Sequence, residues 1–483
     1  MINFAPVSNV IGVLLIIIGC MMLTGIPFSW YFESNDARYL FYSGGVTILA
    51  GLLSWLYKFR EGTKISKREG YLIVTLGWLS MVTFSALPYL ISGTIDNFTD
   101  AFFEVMSGMT TTGASVLTDI EVLPEGILYW RSMTQWIGGM GIIVLTVAIF
   151  PLLGIGGIEL FVAEAPGPTS DKIHPRIQET AKRLWLIYVG LTLTLTVILW
   201  IAGMTFYEAV NHAYTTMATG GFSTKNGSMA DFDLPQIQYP IILFMFIAGT
   251  NYTVIYYSLR GNWRNVWSSD EFRFYLKLVA VLTVIVSVTV WNVTDLSIEK
   301  SFRDSLFQIV SLITTTGFVS ADYTSWTGGL TVLFFLLMFS GACAGSTAGG
   351  IKLIRHLVFF RNTLGEFKRI LHPQAIVPLR LNGQTVSGKI KTHITIFLLL
   401  YLMIFAAGLI TVSIMGLDFK TAIGAVATCL GNVGPGLGQV GPVDNFAWLS
   451  APIKWTLSFI MLLGRLELFS VLVLFSPYFW KEN

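Results

Sequence analysis

The sequence predicts an all-α polytopic membrane protein: four helix–pore-loop–helix repeats in a pseudo-four-fold arrangement, plus one extra N-terminal helix pair. Three observations carry that prediction. Of 483 residues, 54% are hydrophobic and only 12% charged, and the mean hydropathy is +0.67, far from a soluble domain. Apolar stretches recur along the whole chain at the length a bilayer core demands, ~20 residues of helix for ~30 Å. A short pattern ending in glycine recurs four times between them.

The extra pair comes first, at 10–32 and 38–58. The first stretch lacks a basic n-region and runs straight into a second span, so it is expected to be a retained helix and not a cleaved signal. Further full-length spans are expected at 70–92, 128–153, 183–203, 236–259, 274–293, 391–415 and 451–478, and an interrupted one lies between 329 and 362. The expected division is 1–60 for the N-terminal pair, then repeats at 61–155, 156–262, 263–370 and 371–483.

Basic residues mark the cytoplasmic loops. Lys58, Arg60, Lys64, Lys67 and Arg68 crowd one connection, and Lys352, Arg355, Arg361, Lys368, Arg369, Arg380, Lys389 and Lys391 crowd another. The connection from Gly93 to Ile127 has no basic residue but carries Asp96, Asp100, Glu104, Asp119, Glu121 and Glu125, which puts it outside. Ten crossings in this order leave both termini in the cytoplasm.

The repeat emerges when Gly113, Gly221, Gly317 and Gly434 are taken as origins. Fifteen positions earlier stands Phe98, Phe206, Phe302 or Phe419. Twelve earlier the residue is small (Ala101, Ala209, Ser305, Ala422), and eleven earlier it is apolar (Phe102, Val210, Leu306, Ile423). Positions −15, −11 and −7 share one helical face, so each unit reads as a short buried helix, too short to span, followed by a glycine-bearing loop.

Non-helical backbone at membrane depth is tolerated only where it is buried in protein or lines water, because unpaired N–H and C=O groups in lipid cost several kcal/mol each. Four such loops converging at a glycine suggest a selectivity filter, in which carbonyls replace the hydration shell of a cation. Thr111, Thr112, Thr315 and Thr316 would add carbonyls with hydroxyls behind them. The competing explanation, small residues at helix contacts, accounts for one TTTG but not for four aligned units.

TTTGASVL at 110–117, MATGGFST at 217–224, ITTTGFVS at 313–320, GNVGPGLG at 431–438, QWIGGMGIIVL at 135–145 and GACAGSTAGGIK at 341–352 together resemble the Trk/Ktr/HKT potassium-transporter superfamily, in particular its TrkH-type membrane subunits, over essentially the whole chain. The resemblance implies uptake of K⁺, with Rb⁺ as a congener, across the bacterial inner membrane, and no organic cofactor. It implies a K⁺ filter at Thr111, Thr112, Gly113, Gly220, Gly221, Thr315, Thr316, Gly317, Asn432, Val433 and Gly434. Gly113 stands where related plant members that carry sodium have Ser, so K⁺ selectivity is implied. Within the second repeat the Phe spacing favours Gly221 over Gly220. Asn432 and Val433 depart from the Thr-rich pattern, so the ring cannot be chemically four-fold.

The stretch at 329–362 contains Gly341, Gly345, Ser346, Thr347, Gly349 and Gly350. Glycine in a helix interior costs ~1 kcal/mol against Ala, so unwinding is expected there; a small-residue packing face is the alternative. Arg465, well inside the last stretch, costs ~2.5–3.5 kcal/mol at the centre of a helix unless it faces a partner or water. Glu467, two residues on, is not an obvious partner. The resemblance reads the Gly-rich segment as an intramembrane gating loop and Arg465 as an electrostatic barrier beside it. It also implies a TrkA-type cytosolic nucleotide-binding regulatory subunit and a homodimer, while membrane lipid is an equal candidate to contact the basic loop at 352–391.

No enzyme chemistry is expected. GLGQVG at 436–441 lacks the strand and helix of a dinucleotide fingerprint, and in GSTAGGIK at 345–352 Ile351 interrupts the P-loop pattern. Cys20, Cys343 and Cys429 lack pair or ligand spacing, and the five histidines are scattered; His212 is expected to be packed or capped rather than a ligand. A net charge of +2 gives no reason to invoke nucleic acid. The alternative within transport is a K⁺ symporter coupled to H⁺ or Na⁺, which would call for intramembrane carboxylates.

Overall fold

The computed structural model describes residues 2–57, 66–144 and 173–481. Six described helices are long and apolar enough to cross a membrane: Phe4–Tyr31, Ala37–Leu56, Lys67–Ser92, Thr180–Ile201, Asp270–Val293 and Gly388–Ile414. The expected span at 128–153 is helical over Glu125–Val144. Its remainder, the boundaries at 60 and 155, and Lys58, Arg60 and Lys64 lie outside the described residues.

Two stretches expected to be straight spans are bent. Pro235–Ala248 and Tyr252–Leu259 meet at 110°, as do Ala451–Arg465 and Phe469–Phe475. At the first bend the Asn251 side chain accepts from Thr253 N at 2.8 Å and starts the new helix. At the second, Glu467 and Leu468 both take positive φ, each 56°. The interrupted stretch divides as expected, into Gly328–Leu337 and Leu353–Leu371 with irregular backbone between. Among the described residues, breaks thus occur in the second helices of three repeats, where the sequence predicted one.

The N-terminal pair forms a tight antiparallel hairpin. A Cβ on Gly12 would stand 2.6 Å from Gly51 O, and one on Gly19 would stand 2.8 Å from Gly44 O. Paired glycines therefore let the two backbones touch, the usual device where lipid offers no hydrophobic drive for helix association.

Four short helices lie inside the molecule: Phe98–Met109, Phe206–Met217, Ile298–Ile313 and Phe419–Gly431. Each is opened by a capping side chain, Asn97, Thr205, Ser297 or Asp418, that accepts from a backbone N–H three residues on. Twelve residues of helix reach only ~18 Å. The repeated phenylalanines are not core residues: Phe98, Phe206, Phe302 and Phe419 are 44%, 53%, 41% and 69% exposed. They stand near the N-terminal ends of otherwise buried helices, since an apolar side chain facing lipid needs no burial.

Among the described residues the expected all-α architecture has one exception, a two-stranded hairpin pairing Arg380–Leu381 with Gln384–Thr385. Its turn is Asn382–Gly383, both with positive φ, the dipeptide a tight hairpin turn favours.

Candidate ion-conduction site

The C-terminal ends of the four short helices share one backbone pattern. The N–H groups of Thr112, Gly220, Thr316 and Val433 donate to carbonyls five residues back, those of Ser107, Thr215, Ser311 and Thr428, at 2.8, 2.9, 2.8 and 3.0 Å. This is the six-to-one bond of a Schellman motif, whose preceding residue is left-handed. That residue is Thr111, Thr219, Thr315 or Asn432, at φ 51°, 55°, 53° and 54°. Asn adopts such a conformation readily, whereas for Thr it costs roughly 1–2 kcal/mol. Three threonines held there indicate that a hydroxyl at this position matters more than an unstrained cap.

Two residues on, Gly113, Gly221, Gly317 and Gly434 take φ 88°, 77°, 78° and 104°. In the second repeat it is thus Gly221, not Gly220, that occupies the equivalent position. A Cβ on Gly113 would run into Gly220 O, one on Gly221 into Thr316 O, and one on Gly317 into Val433 O; on Gly434 it would lie 2.6 Å from Thr112 O. Each glycine thus abuts the carbonyl that precedes the glycine of the next repeat, and the fourth returns to the first. The ring closes head to tail. Its backbone keeps four-fold regularity despite Asn432 and Val433, so the departure in the fourth unit is confined to side chains.

In the first three repeats a polar side chain nine positions before the glycine braces the strand that follows it. Glu104 accepts from Ser115 Oγ at 3.0 Å and Val116 N at 2.8 Å. His212 Nε2 pairs with Ser223 Oγ at 3.0 Å, its Nδ1 facing Glu208 O at 2.8 Å. Gln308 Nε2 donates to Ala321 O at 3.1 Å. In the fourth repeat this residue is Ala425, and the neighbouring Gly424 lets Leu437 approach the helix backbone instead. Glu104, read from sequence as part of an acidic outer loop, is buried against Arg131 at 2.8 Å.

The Gly-rich segment lies against the helix-end side of this ring. Gly349 N donates to Thr315 Oγ1 at 2.6 Å, and Thr219 Oγ1 meets Thr347 Oγ1 at 3.2 Å. Its ends are pinned by Gly341 N to Ile351 O at 2.8 Å and Cys343 N to Gly249 O at 3.0 Å. Gly345 and Gly350 adopt positive φ, 70° and 61°, while Ser346 Oγ turns back to Cys343 O at 2.6 Å.

Arg465 is 2% exposed and donates to Thr347 O at 2.8 Å and Gly138 O at 3.1 Å. One guanidinium therefore joins the last repeat, the Gly-rich segment and the crossing helix of the first repeat. Glu467 turns away and pairs with Arg355 at 2.6 Å. Two residues expected in a solvated basic loop, Lys352 and Arg355, are buried; Lys352 Nζ bonds Ala348 O, and the Arg355 guanidinium lies 3.9 Å from the Phe397 ring centroid. Among the described residues no three His, Cys, Asp or Glu side chains are grouped to hold a metal ion.

Comparison with known proteins adds a family to this geometry. The TrkH family model, described as a cation transport protein, matches residues 39–482. The chain belongs to the TrkH family. It is 40% identical to the Trk system potassium uptake protein TrkH of Salmonella typhimurium over 99% of this chain and 100% of that one. The Trk system potassium uptake protein TrkG of Escherichia coli is 32% identical, covering 99% and 98%. The crystal structure of the potassium transporter TrkH from Vibrio parahaemolyticus matches with a TM-score of 0.92 at 35% identity, covering 99% of this chain and all of that one. These relatives are named as uptake proteins or transporters, not enzymes.

Sequence reasoning missed Arg131, Gln135, and the roles of Glu104 and His212. Ser223, Gly220 and Phe222, which Arg131 and Gln135 hold, lie 85 to 92 residues away in sequence, and for Glu104 and His212 only the fixed spacing of nine before the glycine offered a signal.

Proposed function

We propose that this chain takes up K⁺ across the bacterial cytoplasmic membrane through a gated, K⁺-selective pore. The observation that carries the reading is the head-to-tail ring of Gly113, Gly221, Gly317 and Gly434 against Gly220, Thr316, Val433 and Thr112 carbonyls. Four short helices deliver non-helical backbone to the middle of a membrane-embedded body, and such backbone is stable there only around a polar axis. Carbonyls on that axis replace the water of a dehydrated cation, and the partially negative helix C-termini reinforce them. The buried Thr111 hydroxyl and Asn432 carbonyl oxygen, without hydrogen-bond partners in the protein, suit the same axis.

In this reading the filter comprises the residues of the four glycine segments, and the segment from Gly341 to Gly350 with Arg465 forms the gate. Thr347 hydrogen-bonded to Arg465 beneath the ring supports a closed arrangement. The repeats follow the divisions at 61–155, 156–262, 263–370 and 371–483, and both termini face the cytoplasm. A TrkA-type nucleotide-binding subunit docks on the cytoplasmic side of a homodimer and sets the gate.

The test is the reversal potential of the purified protein in planar bilayers under a K⁺ gradient opposed in turn to Na⁺ and H⁺ gradients. Reversal at the K⁺ equilibrium potential, unmoved by pH, is expected. A reversal that follows the proton or sodium gradient would overturn the reading in favour of coupled transport.

A further inference from the structure

We propose that Gln135, on the crossing helix of the first repeat, is a positioning residue for the second filter strand, supplying from a neighbouring repeat the brace that paired threonine hydroxyls supply in repeats one and three. The inference rests on the filter reading above. It begins from positions three and one before each glycine. Thr110 and Thr112 join their hydroxyls at 2.8 Å, and Thr314 and Thr316 do so at 2.7 Å. The second repeat has Ala218 and Gly220 there, with no hydroxyl at either place. In the fourth, Gly431 and Val433 pack through apolar contact, a Cβ on Gly431 standing 3.2 Å from Val433 Cγ2.

Gln135 fills the gap in the second repeat. Its Nε2 donates to Gly220 O at 2.6 Å and its Oε1 accepts from Phe222 N at 3.0 Å, so one amide brackets Gly221 on both sides. The side chain is fully buried. A Cβ on Gly220 would stand 2.5 Å from Oε1 and 2.7 Å from Nε2. Gly220 and Gln135 are therefore a matched pair: the threonine found in repeats one and three cannot stand at 220 while Gln135 is present. This explains the double glycine.

One helical turn earlier, Arg131 continues the brace. Its Nη1 donates to Ser223 O at 3.1 Å, its guanidinium lies 3.6 Å from the Phe222 ring centroid, and Glu104 holds its Nε. Residues four apart share a helix face, so this face of the first repeat holds the second strand from Gly220 to Ser223. Discrimination between cations depends on the number and placement of carbonyls. A carbonyl tied by a buried amide cannot swing to fit a smaller ion.

The experiment measures K⁺ over Na⁺ permeability from bi-ionic reversal potentials of purified protein in planar bilayers. An unselective wild type would overturn the filter reading, and this inference with it. With a selective wild type, Gln135→Met, similar in size but unable to hydrogen-bond, is expected to lower the permeability ratio about tenfold, or about 1.4 kcal/mol. An unchanged ratio overturns the proposal. Gly220→Thr alone is expected to abolish selective flux, and Ala218→Thr with Gly220→Thr and Gln135→Ala to recover it, because the three together restore the paired hydroxyls and vacate the volume. Should Gln135→Met not fold, the two proteins carrying Gly220→Thr decide: a triple variant no better than the single one overturns the proposal.

Discussion

Replacing Arg465 with alanine tests the proposed gate most sharply. The guanidinium makes two hydrogen bonds to carbonyls, one to Thr347 in the Gly-rich segment and one to Gly138 in the crossing helix of the first repeat. A hydrogen bond from a charged group contributes ~1.5–3 kcal/mol. Moving the segment away from the ring breaks only the Thr347 bond, so the variant removes about that much from the closed arrangement. At about 1.4 kcal/mol per tenfold, the ratio of closed to open protein falls by roughly 10- to 150-fold. K⁺ efflux from proteoliposomes without any partner reads this directly, with elution as a single species and thermal stability as controls. Arg465→Ala should leak at least about tenfold faster. Unchanged or slower flux from well-folded protein would refute the reasoning and leave Arg465 as a structural tie between repeats.

The remaining predictions concern the ring and its supports. Gly434→Ala places a methyl group against Thr112 O at a positive φ, so K⁺ flux should be lost while the protein still reaches the membrane; normal flux would contradict head-to-tail closure. Glu104→Gln leaves Arg131 as an uncompensated buried charge, which costs about 3–5 kcal/mol, seen as a lower unfolding temperature in detergent. Adding Arg131→Met should recover part of that loss, and no recovery would argue against the pair. In the loop before Pro235, partial burial raises the Asp233 carboxyl, but Lys300 and Arg303 outweigh it and hold it below the usual carboxylate range. Because the folded value is depressed, this stabilisation is fully present above the unfolded value of about 3.9 and is lost as pH falls through the folded one. Wild-type unfolding temperature should therefore drop more steeply than that of Asp233→Asn below about pH 4, and parallel curves would count against the ion pairs.

The repeat was legible because its marks are local: a capped short helix and a glycine forced by backbone geometry recur at fixed spacing. The break at 338–352 was legible for the same reason, since its glycines stand together. The break after Arg465 was not, because Glu467 and Leu468 turn the chain without glycine or proline, held by surrounding packing. Burial was misread at Phe98, Phe206, Phe302 and Phe419, where lipid satisfies an apolar side chain as well as a core does, so hydropathy does not report depth. The grip of Gln135 on Gly220 and Phe222 spans more than eighty residues of sequence and is fixed only when the first crossing helix lies beside the second short helix.

In the proposed pore the four glycine segments surround the path of K⁺. Crystals of this protein grown in Rb⁺ and measured at the rubidium absorption edge would locate the ion. Anomalous density is expected on the axis enclosed by Gly113, Gly221, Gly317 and Gly434, lost when Rb⁺ is replaced by Na⁺. Rubidium bound elsewhere in the protein with none inside the ring would contradict it.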